Sequence, residues 1–440
     1  MKIALVDTSG LQRNLSINKD LNGGYGTNDN FGNSIFAKLI TFIRSNSTNI
    51  PLLTFVYIYT ILKNKGYIVD FYYNKIPKTY YDIFIIYGSI VDYKIENQIA
   101  GKLKQEFQNS KVGFIGTFPS QMPNLFSNGE YIIDGEADAY FLYQFKNIDQ
   151  LDGIVKVNTW MNMNDLPSPD YQIFPYKSYK YKPILNKSPV LTIQASRGCP
   201  YSCGYYCTYP TSQGQKVRYR KPDLIIDDII MMKNLFSMKS LLFRDPIFGI
   251  DPNYPLLLSE KLIQNNILIN WGIETRIDLL NKENVKLMKD AGLVSINVGI
   301  ETNDDLIAKN NKRKLTKESH QQEIINFCQK IGIKIVGFFM IGLDGDTVDS
   351  VNTMIEYAIK QNIFMARFSV STPYPGTQYY DFLDNEGLLL HKNFEKYNQF
   401  SLVSKQESLT SAQVNTLMLD AYRKYYMRLQ KIFSIFMDSY

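Results

Sequence analysis

Val190-Leu191-Thr192-Ile193-Gln194-Ala195-Ser196-Arg197-Gly198-Cys199-Pro200-Tyr201-Ser202-Cys203-Gly204-Tyr205-Tyr206-Cys207-Thr208-Tyr209-Pro210 is the stretch on which the reading of this chain turns. Val190 to Ala195 has the short, β-branched character of a buried strand. Three cysteines then fall within nine residues, and the chain has only one other, Cys328. A secreted protein of this length would spread its cysteines as disulfide pairs, whereas clustered thiols point to a metal or redox site. Three thiolates on one loop can hold three irons of a cubane cluster and leave the fourth iron open. A structural zinc normally takes four protein ligands. Cys328, beside Phe327 on a predicted helix, reads as a small buried hydrophobe. The two histidines, His320 and His391, are too few for a histidine-rich metal site.

Working outward, strand–helix alternation continues downstream. Candidate strands are Leu241 to Asp245, Ile269 to Glu274, Val294 to Gly299, Ile335 to Ile341 and Arg367 to Ser371, with helices such as Asp223 to Met238 and Val348 to Ile359 between them. Six such units over 189–385 suit a partial (β/α)6 barrel, in which the cysteine loop follows the first strand on the face where barrel sites form. Residues 386–440 read as a helical extension, with Leu409 to Met437 as helix. Upstream, 1–150 also alternates: Lys2 to Val6, Tyr67 to Phe71, Asp82 to Tyr87, Val112 to Gly116 and Tyr131 to Ile133 are strands. A long polar loop holding Gly23-Gly24-Tyr25-Gly26 follows the first of them. Pro51 and Gly66 bracket a helix. This is the pattern of an α/β doubly wound parallel sheet, which binds ligands at its carboxyl strand ends. Residues 151–188, with Leu166-Pro167-Ser168-Pro169-Asp170, break the rhythm and read as a linker wrapping between the two.

Composition bounds the rest. The chain has 440 residues, 45% hydrophobic and 20% charged, the range of a folded protein of about two or three domains. A net charge of +6 does not indicate a large nucleic-acid footprint. Val217-Arg218-Tyr219-Arg220-Lys221 and Lys312-Arg313-Lys314 are basic clusters that read as solvated faces rather than RNA contacts. The longest apolar stretch, Ile50 to Leu62, is shorter than the ~20 residues of a membrane span. Met1 leads straight into a strand with no signal peptide, so a cytoplasmic location is expected.

The cysteine segment resembles the cluster loop of the radical S-adenosylmethionine (SAM) enzymes, particularly those with an N-terminal cobalamin-binding domain. Their usual loop reads Arg-Gly-Cys-Pro-Tyr-Ser-Cys-x-x-Cys. Here Gly204, Tyr205 and Tyr206 stand where two residues are usual, giving Cys-x3-Cys-x3-Cys. That spacing resembles a subgroup containing the radical SAM dehydratase of apramycin biosynthesis, which removes a hydroxyl from an aminoglycoside ring. Leu241-Leu242-Phe243-Arg244-Asp245-Pro246, Trp271-Gly272-Ile273-Glu274-Thr275-Arg276, Asn297-Val298-Gly299-Ile300-Glu301-Thr302, Gly337 to Thr347 and Ser371 to Thr377 resemble the family's later strands, in order. The resemblance implies a [4Fe-4S] cluster on Cys199, Cys203 and Cys207. It implies SAM contacts at Asp245 (amino group), Arg276 (carboxylate), Glu301 (ribose hydroxyls) and Gly342 (adenine). Read without it, Arg276 is equally an ion-pair partner of Asp278 or Glu274, Asp245 a turn cap and Glu301 an acid at a helix start.

No histidine precedes His320, so the Asp-x-His-x-x-Gly mode of cobalamin ligation is excluded. Relatives of this class hold cobalamin without histidine, and Ser89, Thr117, Gly135 and Glu136 at strand ends are the candidate contacts. The alternative is a degenerate domain that closes the barrel mouth. The expected activity is reductive cleavage of SAM to a 5′-deoxyadenosyl radical that takes hydrogen from a polar small molecule, with loss of a hydroxyl from a sugar or aminoglycoside preferred. A cobalamin-dependent methyltransferase and a non-catalytic metal-binding protein are the alternatives. The expected partners are a small-molecule substrate and a one-electron donor of the flavodoxin or ferredoxin type, without membrane or nucleic acid.

Overall fold

The computed structural model describes residues 1–11 and 17–437. The N-terminal sheet comprises β1 (Lys2–Asp7), β2 (Ile68–Tyr73), β3 (Ile83–Tyr87), β4 (Lys111–Ile115), β5 (Tyr131–Asp134) and β6 (Gly153–Lys156). All are parallel, in the order β2-β1-β3-β4-β5-β6. The central strands are continuous apolar runs because helices cover both faces, and β3 is buried throughout. The chain leaves β1 to one side and returns to the other at β3, so the topological switch lies at the end of β1, where ligands of open α/β sheets bind.

Two elements depart from the sequence reading. The sixth strand, β6, lies beyond the boundary expected at residue 150, inside the supposed linker. It is a short, largely exposed edge and carries no hydrophobic alternation. The expected long polar loop contains helix α1 (Ile35–Ser47), capped by Ser34, whose side chain accepts the Ala37 N–H. Helix α2 (Leu53–Asn64) lies within the bracket set by Pro51 and Gly66, and Gly66 takes a φ of +84° just after its end.

The second sheet holds β7 (Val190–Ile193), β8 (Ser240–Phe243), β9 (Asn270–Thr275), β10 (Leu293–Glu301), β11 (Lys334–Ile341) and β12 (Met365–Val370), parallel and in chain order. With α3 (Pro222–Phe236), α4 (Asn253–Gln264), α5 (Lys282–Asp290), α6 (Glu318–Lys330) and α7 (Val348–Gln361) between strands, this is the expected six-stranded partial barrel. Cys328 is buried in α6, where burial pushes its thiol up to about 12. The tail is two helices, α8 (Ser411–Tyr426) and α9 (Leu429–Met437). Its tyrosines cover the barrel's last strand: Tyr422 and Tyr426 hydroxyls donate to the carbonyls of Phe368 (3.1 Å) and Ala366 (2.6 Å). A sheet edge is thereby satisfied without another strand.

The linker is tied to both domains. Arg220 donates to the carbonyls of Met163 (2.8 Å) and Leu166 (2.6 Å) and pairs with Asp228. Lys63 of α2 pairs with Asp170 at 2.6 Å. No helix among the described residues is long and apolar enough to cross a membrane.

Candidate active site between the two sheets

Chain geometry at the end of β7 builds the cysteine loop. Asp245, just past β8, accepts the Ala195 N–H (2.8 Å) and the Ser196 hydroxyl (2.6 Å), fixing the base of the loop. Both its oxygens are engaged, and burial pushes its carboxyl up to about 7. Ser196 and Arg197 pair antiparallel with Tyr219 and Arg218, so residues 198–217 leave and return as one excursion. Gly198 has a φ of +93°, and a Cβ there would lie 2.2 Å from the Lys216 carbonyl oxygen; only glycine fits. Cys199 N–H donates to the Gly214 carbonyl at 3.0 Å, and Cys207 N–H to that of Cys203 at 3.0 Å.

Cys199 and Cys203 are buried and Cys207 partly so, and none forms a disulfide. Burial first, then the neighbouring cysteines, pushes the Cys207 thiol up; burial and Glu301 push Cys203 up to about 11. These are thiols whose charge calls for a cation. Among the described residues no three His, Cys, Asp or Glu side chains gather as a single-ion site. The donor set, three thiols on one loop, suits the three ligated irons of a cubane cluster.

Glu301 ends β10 at a bulge, with a φ of +69°. Its carboxylate pairs with Arg313 at 2.8 Å and accepts a hydrogen bond from the Tyr206 hydroxyl. Tyr206 belongs to the lengthened segment between Cys203 and Cys207, so the unusual spacing bears directly on the acid expected at ribose. Arg276 makes a two-point contact with Asp278 (2.9 and 3.0 Å) and lies 4.3 Å from the Tyr201 ring. Glu274 is not its partner. Gly342, with a φ of +77°, donates its N–H to Asp346 at 2.9 Å and shapes the turn after β11.

A cavity of about 1260 Å³ opens between the domains. That exceeds the ~300–1,000 Å³ of an ordinary small-ligand pocket. Asp7 and Ser9 at the end of β1, α1, the Cys207 end of the cysteine loop, Glu301 and the ends of β11 and β12 all line it. Asp245, Arg276 and Gly342 do not. Arg244, which neighbours Asp245 in the strand end that the resemblance assigned to the methionine amino group, does line it, and so do Glu274, Asn297 and Arg367, to which no binding role was assigned. One signal was available: Arg367 is the lone charge in Phe364-Met365-Ala366-Arg367-Phe368, and a charge in a strand buried by apolar neighbours marks a function.

The expected cobalamin contacts are placed differently. Ser89 is fully buried, and its N–H and hydroxyl both donate to Glu96 (2.8 and 2.7 Å). The Thr117 hydroxyl donates to the Gly23 carbonyl at 2.6 Å, so the chain's own loop covers that strand end. Glu136 pairs with Arg218 (2.8 Å) and Arg197 (3.4 Å) across the domain boundary. Thr117, Gly135 and Glu136 line a separate pocket of only about 100 Å³. The open space is at β1, the switch point, and not at β3 to β5. The basic clusters divide: Lys221, Lys312 and Lys314 are exposed, as expected of solvated faces, whereas Arg218, Arg220 and Arg313 are held in ion pairs with side chains no more than 15% exposed.

Residues 193–358 match the family model of the radical SAM superfamily, so the chain carries a radical SAM domain. Over 61% of its length it is 27% identical to an uncharacterized methyltransferase of Pyrococcus horikoshii, covering 57% of that protein. Over 54% it is 28% identical to the bacteriochlorophyllide d C-8(2)-methyltransferase of Chlorobaculum tepidum, covering 54% of that protein. The chain spans about half the length of these curated relatives. Its fold is that of the radical SAM methyltransferase TsrM from Kitasatospora setae, solved with cobalamin and a [4Fe-4S] cluster: TM-score 0.67 at 12% identity, over 96% of this chain and 92% of that one. Relatives named as methyltransferases overturn the preferred expectation of hydroxyl loss, which rested on the longer cysteine spacing and its resemblance to the apramycin dehydratase.

Proposed function

We propose that the chain is a cobalamin-dependent radical SAM methyltransferase acting on a small molecule held between its two domains. The observation that carries this reading is the three-cysteine loop opening, at Cys207, onto a cavity of about 1260 Å³ shared by both sheets. The methyltransferase names of the relatives support it. Cys199, Cys203 and Cys207 would hold the cluster. Glu301 and Arg276 are the side chains assigned to SAM, with Asp245 and Gly342 shaping the turns around it. Asp7 and Ser9, at the switch point of the N-terminal sheet, are assigned to cobalamin in place of the residues expected from sequence. When bound, these groups supply an electron, a methyl donor and a methyl carrier. The chain's own part is to bury the thiols, orient Glu301 through Arg313 and Tyr206, and exclude water with the tail helices. A one-electron donor and a small-molecule substrate complete the system.

The test is anaerobic reconstitution with iron, sulfide and cobalamin, then incubation with dithionite and SAM carrying a labelled methyl group. Retained cobalamin and S-adenosylhomocysteine are expected, and Cys207→Ala should lose the full cluster absorbance. Release of 5′-deoxyadenosine with no retained cobalamin and no label transferred overturns the reading.

A further inference from the structure

The floor of the large cavity holds polar groups that neither the cysteine loop nor Glu301 uses. Arg367 projects from β12 with its guanidinium 5.3 Å from the Tyr181 ring centroid and 5.8 Å from that of Phe338. Among the described residues its side chain has no hydrogen bond or ion pair. The Glu274 side chain, at the end of β9, has none either. Asn297 is 3% exposed; its amide donates to the Tyr181 hydroxyl at 3.1 Å, but among the described residues its buried Oδ1 has no partner. All three residues line the same cavity.

A guanidinium drawn out of water with no hydrogen-bonded anion is costly, and ring contacts return only part of that cost. Its flat five-donor fork fits a carboxylate or a phosphate by two parallel hydrogen bonds. Glu274 interacts electrostatically with Arg244 and then with Arg367, and Arg244 is itself paired with Asp20 at 2.8 Å, so two cations and two carboxylates leave this part of the cavity near neutral and disfavour a phosphate dianion. Glu274 and the free Asn297 oxygen only accept hydrogen bonds, so they ask for an N–H or O–H donor. Arg276 and Glu301, by contrast, pack against the cysteine loop. We infer that Arg367, Glu274 and Asn297 are the substrate-reading residues, and that the substrate carries a carboxylate for Arg367 and a hydrogen-bond donor for the other two. This rests on the proposed function only in that an enzyme must hold a substrate here.

The test is equilibrium binding to the anaerobically reconstituted protein, with 3-phenylpropanoate, its uncharged amide 3-phenylpropanamide, and SAM as probes. The acid should bind at least tenfold more tightly than the amide. Arg367→Gln should remove that preference, Arg367→Lys should keep part of it, and SAM should bind all three proteins alike. Arg367→Lys also serves should Arg367→Gln fail to fold. Equal binding of acid and amide by the parent chain overturns the inference. So does a loss of SAM affinity in Arg367→Gln equal to the loss of acid affinity, which would give Arg367 to the methionine carboxylate. Methyl transfer is not read in this assay, so failure of the methyltransferase reading shows elsewhere, in cobalamin retention.

Discussion

Asp245 shows how one buried side chain serves the site without facing it. Its two oxygens set the start of the cysteine loop, and burial raises its pKa from 3.8 to about 7. Between those pH values the folded chain holds this proton more tightly than the unfolded chain does. Stability therefore falls as pH rises through the window, by about 4 kcal/mol if the whole shift is realised. Asn at this position can keep both hydrogen bonds and cannot ionise. Asp245→Asn should gain stability relative to the parent chain between pH 4 and pH 8, measured by urea unfolding at each end. A constant difference would mean that the carboxyl titrates normally. This role was only half legible in the sequence: Asp245 stood out at a strand end, and turn capping was one of its two readings. What its oxygens would meet depends on Ala195 and Ser196, fifty residues upstream.

At the scale of the element, the cysteine loop is the most legible part of the chain. Local spacing alone marked its three thiols, and local apolar runs marked all six barrel strands, because both signals are short-range. The loop's dependence on Gly198 belongs here. Gly198→Ala forces a side chain against the Lys216 carbonyl at a positive φ. The expected cost is about 3 kcal/mol. Denaturant unfolding should register it, and iron per chain after reconstitution should fall with it; unchanged iron content would show that the loop can re-form around the strain. Helix α1 and strand β6 were not legible. The helix, though its Ile35, Phe36, Leu39, Ile40 and Ile43 recur at helical spacing, follows directly on a polar loop and reads as part of it, and the strand is four residues long and has no buried face to impose a pattern.

For the whole molecule, the decisive facts were non-local and no window of sequence carried them. The strand ends of β3 to β5 offered Gly, Ser, Thr and Glu, the side chains of a ligand site. Folding gives them instead to Glu96, to the Gly23 loop and to the barrel. Glu136 is the clearest case: its carboxylate, 4% exposed, neutralises Arg218 and Arg197 of the other domain. Glu136→Ala should cost about 3–5 kcal/mol by leaving buried Arg218 without its carboxylate, while Arg197 keeps Asp138 at 2.6 Å. Calorimetry should show one melting transition becoming two as the domains uncouple; a single unshifted transition would remove Glu136 from the boundary. The loop from Lys19 to Gly26 has a related consequence. Lys19 is locked to Glu96 at 2.7 Å in the first domain, Asp20 to Arg244 at 2.8 Å in the second, and the Tyr25 hydroxyl to the Pro375 carbonyl. A clamshell motion that opened the cavity would tear this pin from one side or the other. Traffic through the flank, where α1 and α9 present Leu39, Ile43 and Ile432 both to the cavity and to the outside, breaks none of these bonds. A cargo entering by this flank would slide past Leu39, Ile43 and Ile432 before it met the polar groups of the cavity.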